Sequence, residues 1–141
     1  MNIKISYYQD SDYEEVLALY NDGKTFGGQY DDARDTKEKL STLIEMKIWS
    51  ILVAKIDNRI VGTVTLFEDS RAAWLYRFAV QKENELEISK KLSQEALSIL
   101  KEKGHSQVLV YAPAENKNFE NRYLQLAFNK GGDYTCYWRD I

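Results

Sequence analysis

The sequence has one cysteine, one histidine and one proline in 141 residues. A lone Cys136 excludes an intramolecular disulfide, and with His105 as its only companion no Cys/His zinc cage can be assembled. Scarcity of thiols points to a reducing compartment. Long apolar runs are also missing: nowhere do eighteen apolar residues follow one another, and Met1 to Tyr8 carries no long apolar stretch, so neither a membrane span nor a signal peptide is expected. Nor is there a charge excess of the kind that grips polyanions. Nineteen Lys and Arg against twenty-two Asp and Glu leave a net charge of -3, which argues against a broad footprint for nucleic acid or anionic membrane. The expectation is a cytoplasmic protein with no nucleic-acid partner, no membrane partner and no metal.

What is present suits one domain spanning residues 1–141. At 44% hydrophobic, a chain of this length can bury roughly 68 to 70% of its unfolded surface in a single core. Ile3 and Ile5 alternate with polar residues toward Tyr7 as in a short strand. Ser11 to Glu14 has capping-box form, and Tyr13, Val16, Leu17 and Tyr20 recur at helical spacing before Asn21-Asp22-Gly23. From Gly23 to Asp35 no period is evident, which reads as a loop. Asp35 to Glu38 is a second capping box, opening a helix with Leu40, Leu43 and Ile44 inside and an end near Lys47.

Three strands follow in a meander. Ile51 to Ile56 and Ile60 to Phe67 flank the turn Asp57-Asn58, and Glu68 to Ser70 turns the chain into the aromatic strand Trp74 to Val80. Ile88, Leu92, Ala96 and Leu100 share the face of the longest helix, closed by Gly104. Val108 to Ala112 reads as a strand buried on both faces and stopped by Pro113, Phe119 to Leu126 as a last helix, and Asp133 to Trp138 as a terminal strand beyond Gly131-Gly132. Cys136 is then a small core residue. A helix between the Trp74 and Val108 strands is long enough to join parallel neighbours, so the fold class is α/β (α+β): a mixed sheet with an antiparallel meander and a central parallel pair.

The junction Val80-Gln-Lys-Glu-Asn-Glu-Leu-Glu-Ile-Ser89 runs from strand into helix, a natural seat for a phosphate because helix N-termini offer unpaired N–H groups. Glutamates at 83, 85 and 87 already occupy that field. Glu85 and Glu87 are equally ordinary first-turn acids, which stabilise a helix by roughly 0.3 to 1 kcal/mol each.

The order of elements, together with Asn116, Tyr123 and Ala127-Phe128 on the last helix, resembles the GNAT superfamily of acyl-CoA N-acyltransferases over nearly the whole chain. The resemblance implies an N-acetyltransferase that moves an acetyl group from acetyl-CoA to a primary amine of a small molecule or peptide. The alternative is a GNAT-like binding or regulatory module without acetyl-CoA affinity. It implies that Phe78, Ala79 and Val80 offer main-chain bonds to the pantetheine arm, that Asn84, Glu85, Leu86, Glu87, Ile88 and Ser89 form the pyrophosphate loop, and that Asn116 lies near the CoA. The family's glycine stands where this chain has Glu87, so the phosphate seat is degenerate. Tyr123 falls where the family has a general-acid tyrosine; it is equally a helix-face residue packing on Phe119. Glu68 is the carboxylate nominated as base, against a plain turn acid. The loop with Phe26, Tyr30, Asp31, Asp32 and Asp35 falls where the family builds its acceptor pocket, and its acids and rings suit a cationic amine. Asp35 is otherwise an N-cap and Arg77 a salt-bridge or stacking partner. His105 is structural, and homodimer formation is left open.

Overall fold

A computed structural model describes residues 1–22 and 33–141, and the backbone of Thr25 and Phe26 between them. Strand β1 (Lys4–Tyr7) leads through a 3-10 turn at Asp10–Asp12 into helix α1 (Tyr13–Asn21). A two-residue strand β2 (Thr25–Phe26) and helix α2 (Lys37–Glu45) precede the meander β3 (Trp49–Ile56), β4 (Arg59–Glu68) and β5 (Ala73–Val80). Helices α3 (Glu85–Glu102) and α4 (Lys117–Gln125) complete the order. The sheet runs β1-β3-β4-β5-β2 with antiparallel neighbours, and Leu109 adds a parallel bridge to Trp74. The sheet is therefore mixed, with the meander and the parallel contact where the sequence predicts them.

Alternation along the strands divides the core between two faces. Leu52, Val64, Leu66, Leu75 and Phe78 pack with Ile88, Leu92, Ala96 and Leu100 of α3. On the other face Tyr8, Ile51, Val53 and Ile60 pack with Val16, Leu19 and Tyr20 of α1 and Leu40 of α2. Gly62 allows α3 to approach the sheet this closely: a Cβ there would lie 2.8 Å from Ile88 and 2.9 Å from Leu92 and Val80. The first turns of α3 are thus pressed against the end of β5. Asp57 and Asn58 both take positive φ, as a two-residue type I′ hairpin turn requires.

Four expectations need correction. The first capping box forms two residues earlier, with Gln9 N–H donating to Asp12 at 2.9 Å, because the chain enters α1 through the 3-10 turn. The second is capped by Thr36, which accepts from Lys39 N–H, while Asp35 is drawn to Arg77 instead. Val108 to Ala112 is a single bridge at Leu109, with Leu109 and Tyr111 exposed on one side. Asp133 to Trp138 forms no strand and Cys136 is exposed, since among the described residues no backbone partner meets this segment.

The end of α4 departs from its ideal residue. Phe128 N–H donates to Tyr123 O and Ala127 N–H to Leu124 O, both at 3.0 Å, a Schellman closure whose left-handed position holds Ala127 at φ 63°. A Cβ in that conformation costs about 1 kcal/mol, so Ala127→Gly is expected to raise stability by about that much and the melting midpoint by about 4 °C. Paired denaturant titrations check it. A lower midpoint would mean that the Ala127 methyl contributes packing larger than its strain.

Candidate functional site

Three elements converge at one end of the molecule: the C-terminal half of β5, the start of α3, and α4. The β4–β5 ladder pairs Thr63 with Ala79 and Thr65 with Tyr76, so Arg77 and Phe78 together oppose Val64. This is a β-bulge, which releases main-chain groups from the ladder and bends the strand. Arg77 sits in it at φ 48°, a conformation bulky residues rarely take. Asp35 holds it there: Arg77 Nε donates to both carboxylate oxygens, at 3.1 and 3.2 Å, and the Tyr13 hydroxyl donates to the Asp35 carbonyl at 3.0 Å. Asp35 therefore anchors the bulge from the α1–α2 side. Burial pushes the nearby Tyr20 phenol well above its ordinary pKa, so this cluster gains no charge in neutral solution.

Beyond Leu109 no ladder bond joins β5 to residues 110–112 among the described residues, and the two segments part. Of Phe78, Ala79 and Val80, whose main-chain groups the sequence reading gave to the ligand arm, the first two are joined by β2. Thr25 pairs with Ala79 and Phe26 with Phe78. A ligand arm hydrogen-bonding there has to displace β2.

At the start of α3, Asn84 adopts the left-handed conformation and its side chain makes no capping bond, which leaves the first helical N–H groups without a side-chain acceptor. Ser89 Oγ is buried one turn on, with no hydrogen-bond partner among the described residues. Glu85 does not pair with Lys90 or Lys91. Arg122 of α4 takes it at 2.8 Å, and the same guanidinium stands 5.7 Å above the Phe119 ring. Glu87 is exposed on the lip of an open depression lined also by Asn84, Leu86 and Lys90. With Lys82, Lys90, Lys91 and Arg122 against Glu83, Glu85 and Glu87, cations outnumber acids around the helix start. An anion is therefore not repelled by the net local charge.

Tyr123 follows Arg122 on α4. It is only 6% exposed, its ring meets Phe128 edge-on at 5.5 Å, and Phe119 packs against the same core cluster. Burial drives its pKa far up, with Arg122 opposing slightly, so the phenol keeps its proton throughout the ordinary range of pH. Asn116 caps α4: its Oδ1 accepts from Asn118 and Phe119 N–H at 3.2 and 3.3 Å, so only its amide nitrogen is left for another partner.

Glu68 lies elsewhere. Its carboxylate meets His105 Nε2 at 2.7 Å and Lys103 Nζ at 3.4 Å, just past the C-terminus of α3. The hydrogen bond to His105 holds its pKa below the usual carboxylate range. Eighteen residues of helix separate this cluster from Glu85, about 27 Å at 1.5 Å per residue. Tyr30, Asp31, Asp32 and the side chain of Phe26 fall outside the described residues. The salt bridge expected of Arg77 forms, with Asp35 as a partner the sequence did not name, while the Arg122–Glu85 bridge was not anticipated.

Neither a protein-family model nor a curated protein sequence matches the chain. Solved structures do. An aminoglycoside antibiotic 6'-N-acetyltransferase from Acinetobacter baumannii superposes with a TM-score of 0.82 at 16% identity, covering 99% of both chains. Glucosamine-6-phosphate N-acetyltransferase from Arabidopsis thaliana gives 0.76 at 16% identity, over 99% of this chain and 100% of that one. The PaiA N-acetyltransferase of Thermoplasma acidophilum, in complex with coenzyme A, gives 0.76 at 25% identity, over 89% and 88%.

Proposed function

We propose that this chain, whose fold is that of the GNAT acetyltransferases, transfers an acetyl group from acetyl-CoA to a primary amine of a small molecule or peptide. The observation that carries the proposal is the placement of a buried, proton-retaining Tyr123 next to the Arg122 that ties α4 to the start of α3. Acetyl-CoA supplies an activated thioester and a thiolate that must be protonated as it leaves. The turn of α3 without a side-chain cap, with buried Ser89 Oγ and with Glu85 neutralised by Arg122, supports a pyrophosphate seat there, to which we assign Lys90, and we assign the Asn116 amide to the CoA arm. The bulge at Arg77 and Phe78 interrupts the β4–β5 ladder, and to this stretch of β5 we assign the polarisation of the thioester carbonyl. Tyr123 holds the proton that the departing sulfur requires.

An acceptor amine, with pKa ~10.4 if lysine-like, must lose a proton before attack. Glu68 is engaged by His105 and Lys103, so we assign that step to water. Acceptor recognition is assigned to Phe26, Tyr30, Asp31 and Asp32, whose acids and rings suit a cation. A non-enzymatic module is the second reading, favoured by β2 on the edge of β5 and by Glu87 on the lip of the depression. Incubation of the protein with acetyl-CoA and a panel of polyamines, aminoglycosides, amino sugars and lysine peptides separates the two. Thiol release matched by the mass of one acetyl group on an amine supports the enzyme. Absence of both acetyl-CoA binding and transfer to any amine supports the module.

A further inference from the structure

Five aromatic rings line one face of the sheet outside its core. Ile51 and Val53 face α1 and α2, so Trp49, two residues before Ile51, shares their side. The register pairs Trp49 with Phe67, Phe67 with Trp74 and Thr65 with Tyr76, which carries that side across β4 and β5, and the parallel bridge at Leu109 adds Tyr111. The Trp49 ring stands 4.5 Å from Phe67 and 5.9 Å from Tyr76, and Trp74 stands 6.4 Å from Tyr76 and 4.8 Å from Tyr111. The rings thus form one continuous floor. None of them joins the residues that α1 and α2 bury; four are partly buried and Tyr111 is 52% exposed. Contiguous apolar surface of this kind marks a binding site.

The floor ends at the bulge of Arg77 and Phe78, the stretch of β5 to which the thioester carbonyl is assigned. At about 3.3 Å per residue, the Tyr76 ring stands one residue from Arg77 and the Trp74 ring three residues, about 10 Å, away. A nitrogen attacking there from the α1–α2 side has its substituent over these rings. The floor is also neutral. Burial, and then the neighbouring Tyr111 phenol, raises the Tyr76 pKa, and no carboxylate contributes among the described residues. The acids of the adjoining segments are engaged, Asp35 with Arg77, Glu68 with His105 and Asp69 with Arg71. A polyamine or an aminoglycoside calls for several acids to meet its several cations, whereas rings at these spacings receive another flat ring, offset or edge-on.

We propose, resting on the acetyltransferase function, that the acceptor is a primary amine joined by a short alkyl tether to a flat aromatic ring, and that this ring stacks on Trp49, Tyr76 and Trp74. The neutral nitrogen bonds to the thioester carbon as the carbon–sulfur bond breaks. One amine proton passes to water, the Tyr123 proton passes to sulfur, and Tyr123 regains a proton from water. The products are the N-acetylated arylalkylamine and the CoA thiol.

Initial rates at saturating acetyl-CoA with 2-phenylethylamine, tryptamine, n-butylamine, glucosamine and spermidine test this, alongside saturation-transfer NMR of 2-phenylethylamine on the protein. The expected kcat/KM is about a hundredfold higher for the two aromatic amines than for the other three, and the ratio of 2-phenylethylamine to n-butylamine falls about tenfold in Trp74→Leu and in Tyr76→Leu. Alkyl, sugar or polyamine acceptors used as well as the aromatic ones overturn the proposal and leave the acetyltransferase function standing. An aromatic preference that both substitutions leave unchanged also overturns it, because the preference then arises elsewhere. If none of the amines is acetylated, the acetyltransferase function falls, and NMR decides the floor separately: saturation transfer to the phenyl protons, lost in Trp74→Leu, keeps it as the seat of an aromatic amine, and no transfer overturns that as well. If neither variant folds, 2-cyclohexylethylamine decides in the unaltered chain, since it has similar apolar bulk without a flat face. A kcat/KM below that of 2-phenylethylamine by about fivefold or more supports stacking, and any smaller difference overturns it.

Discussion

Replacing Tyr123 with Phe is expected to lower turnover by about 10²–10⁴ while leaving acetyl-CoA affinity within a few-fold of its original value. The phenol is buried and retains its proton, so its chemical value lies in donation at the moment the carbon–sulfur bond breaks. Removing the hydroxyl leaves the ring, and the ring accounts for the contact with Phe128, so the fold should be preserved. Steady-state rates with the amine found to be acetylated, set beside calorimetric affinities, check it. A fall in affinity with unchanged turnover would make Tyr123 a binding residue, and no change in either would return it to the core.

Arg122→Met is expected to weaken acetyl-CoA binding by about ten- to a hundredfold, because it leaves Glu85 uncompensated where a pyrophosphate would bind. Two like charges 4 Å apart repel by about 4 kcal/mol at an effective dielectric of 20, about a thousandfold, and salt screening reduces this. Methionine keeps a long apolar stem against the Phe119 ring. Adding Glu85→Gln to Arg122→Met should restore most of the lost affinity, and the deficit of the single variant should shrink as salt is raised. If the double variant binds no better than Arg122→Met, the arginine acts by positioning α4 and not by neutralising the glutamate.

Features set by local chemistry were legible in the sequence. The α3 face shows in the spacing of Ile88, Leu92, Ala96 and Leu100, with Gly104 at φ 95° closing the helix as expected. Asp57-Asn58 specifies its hairpin because both residues tolerate positive φ. What escaped depends on partners distant in the chain. Arg77 takes its left-handed conformation because Asp35, forty-two positions away, holds the side chain, and no propensity of arginine announces that. Glu85 is neutralised from α4, not by the lysines of its own helix. Glu68 was nominated by its place at a strand end, whereas the turn carries it toward His105. Asp133 to Trp138 has the alternation of a strand, but a strand also needs an edge to join, and none among the described residues receives it.

Isothermal titration of the purified protein with acetyl-CoA is the most direct test, because every functional assignment above depends on the start of α3 accepting a pyrophosphate. The expected result is saturable binding at one site per chain, retained by Tyr123→Phe and weakened by Arg122→Met. Absence of binding at millimolar acetyl-CoA, with the protein folded, would contradict it.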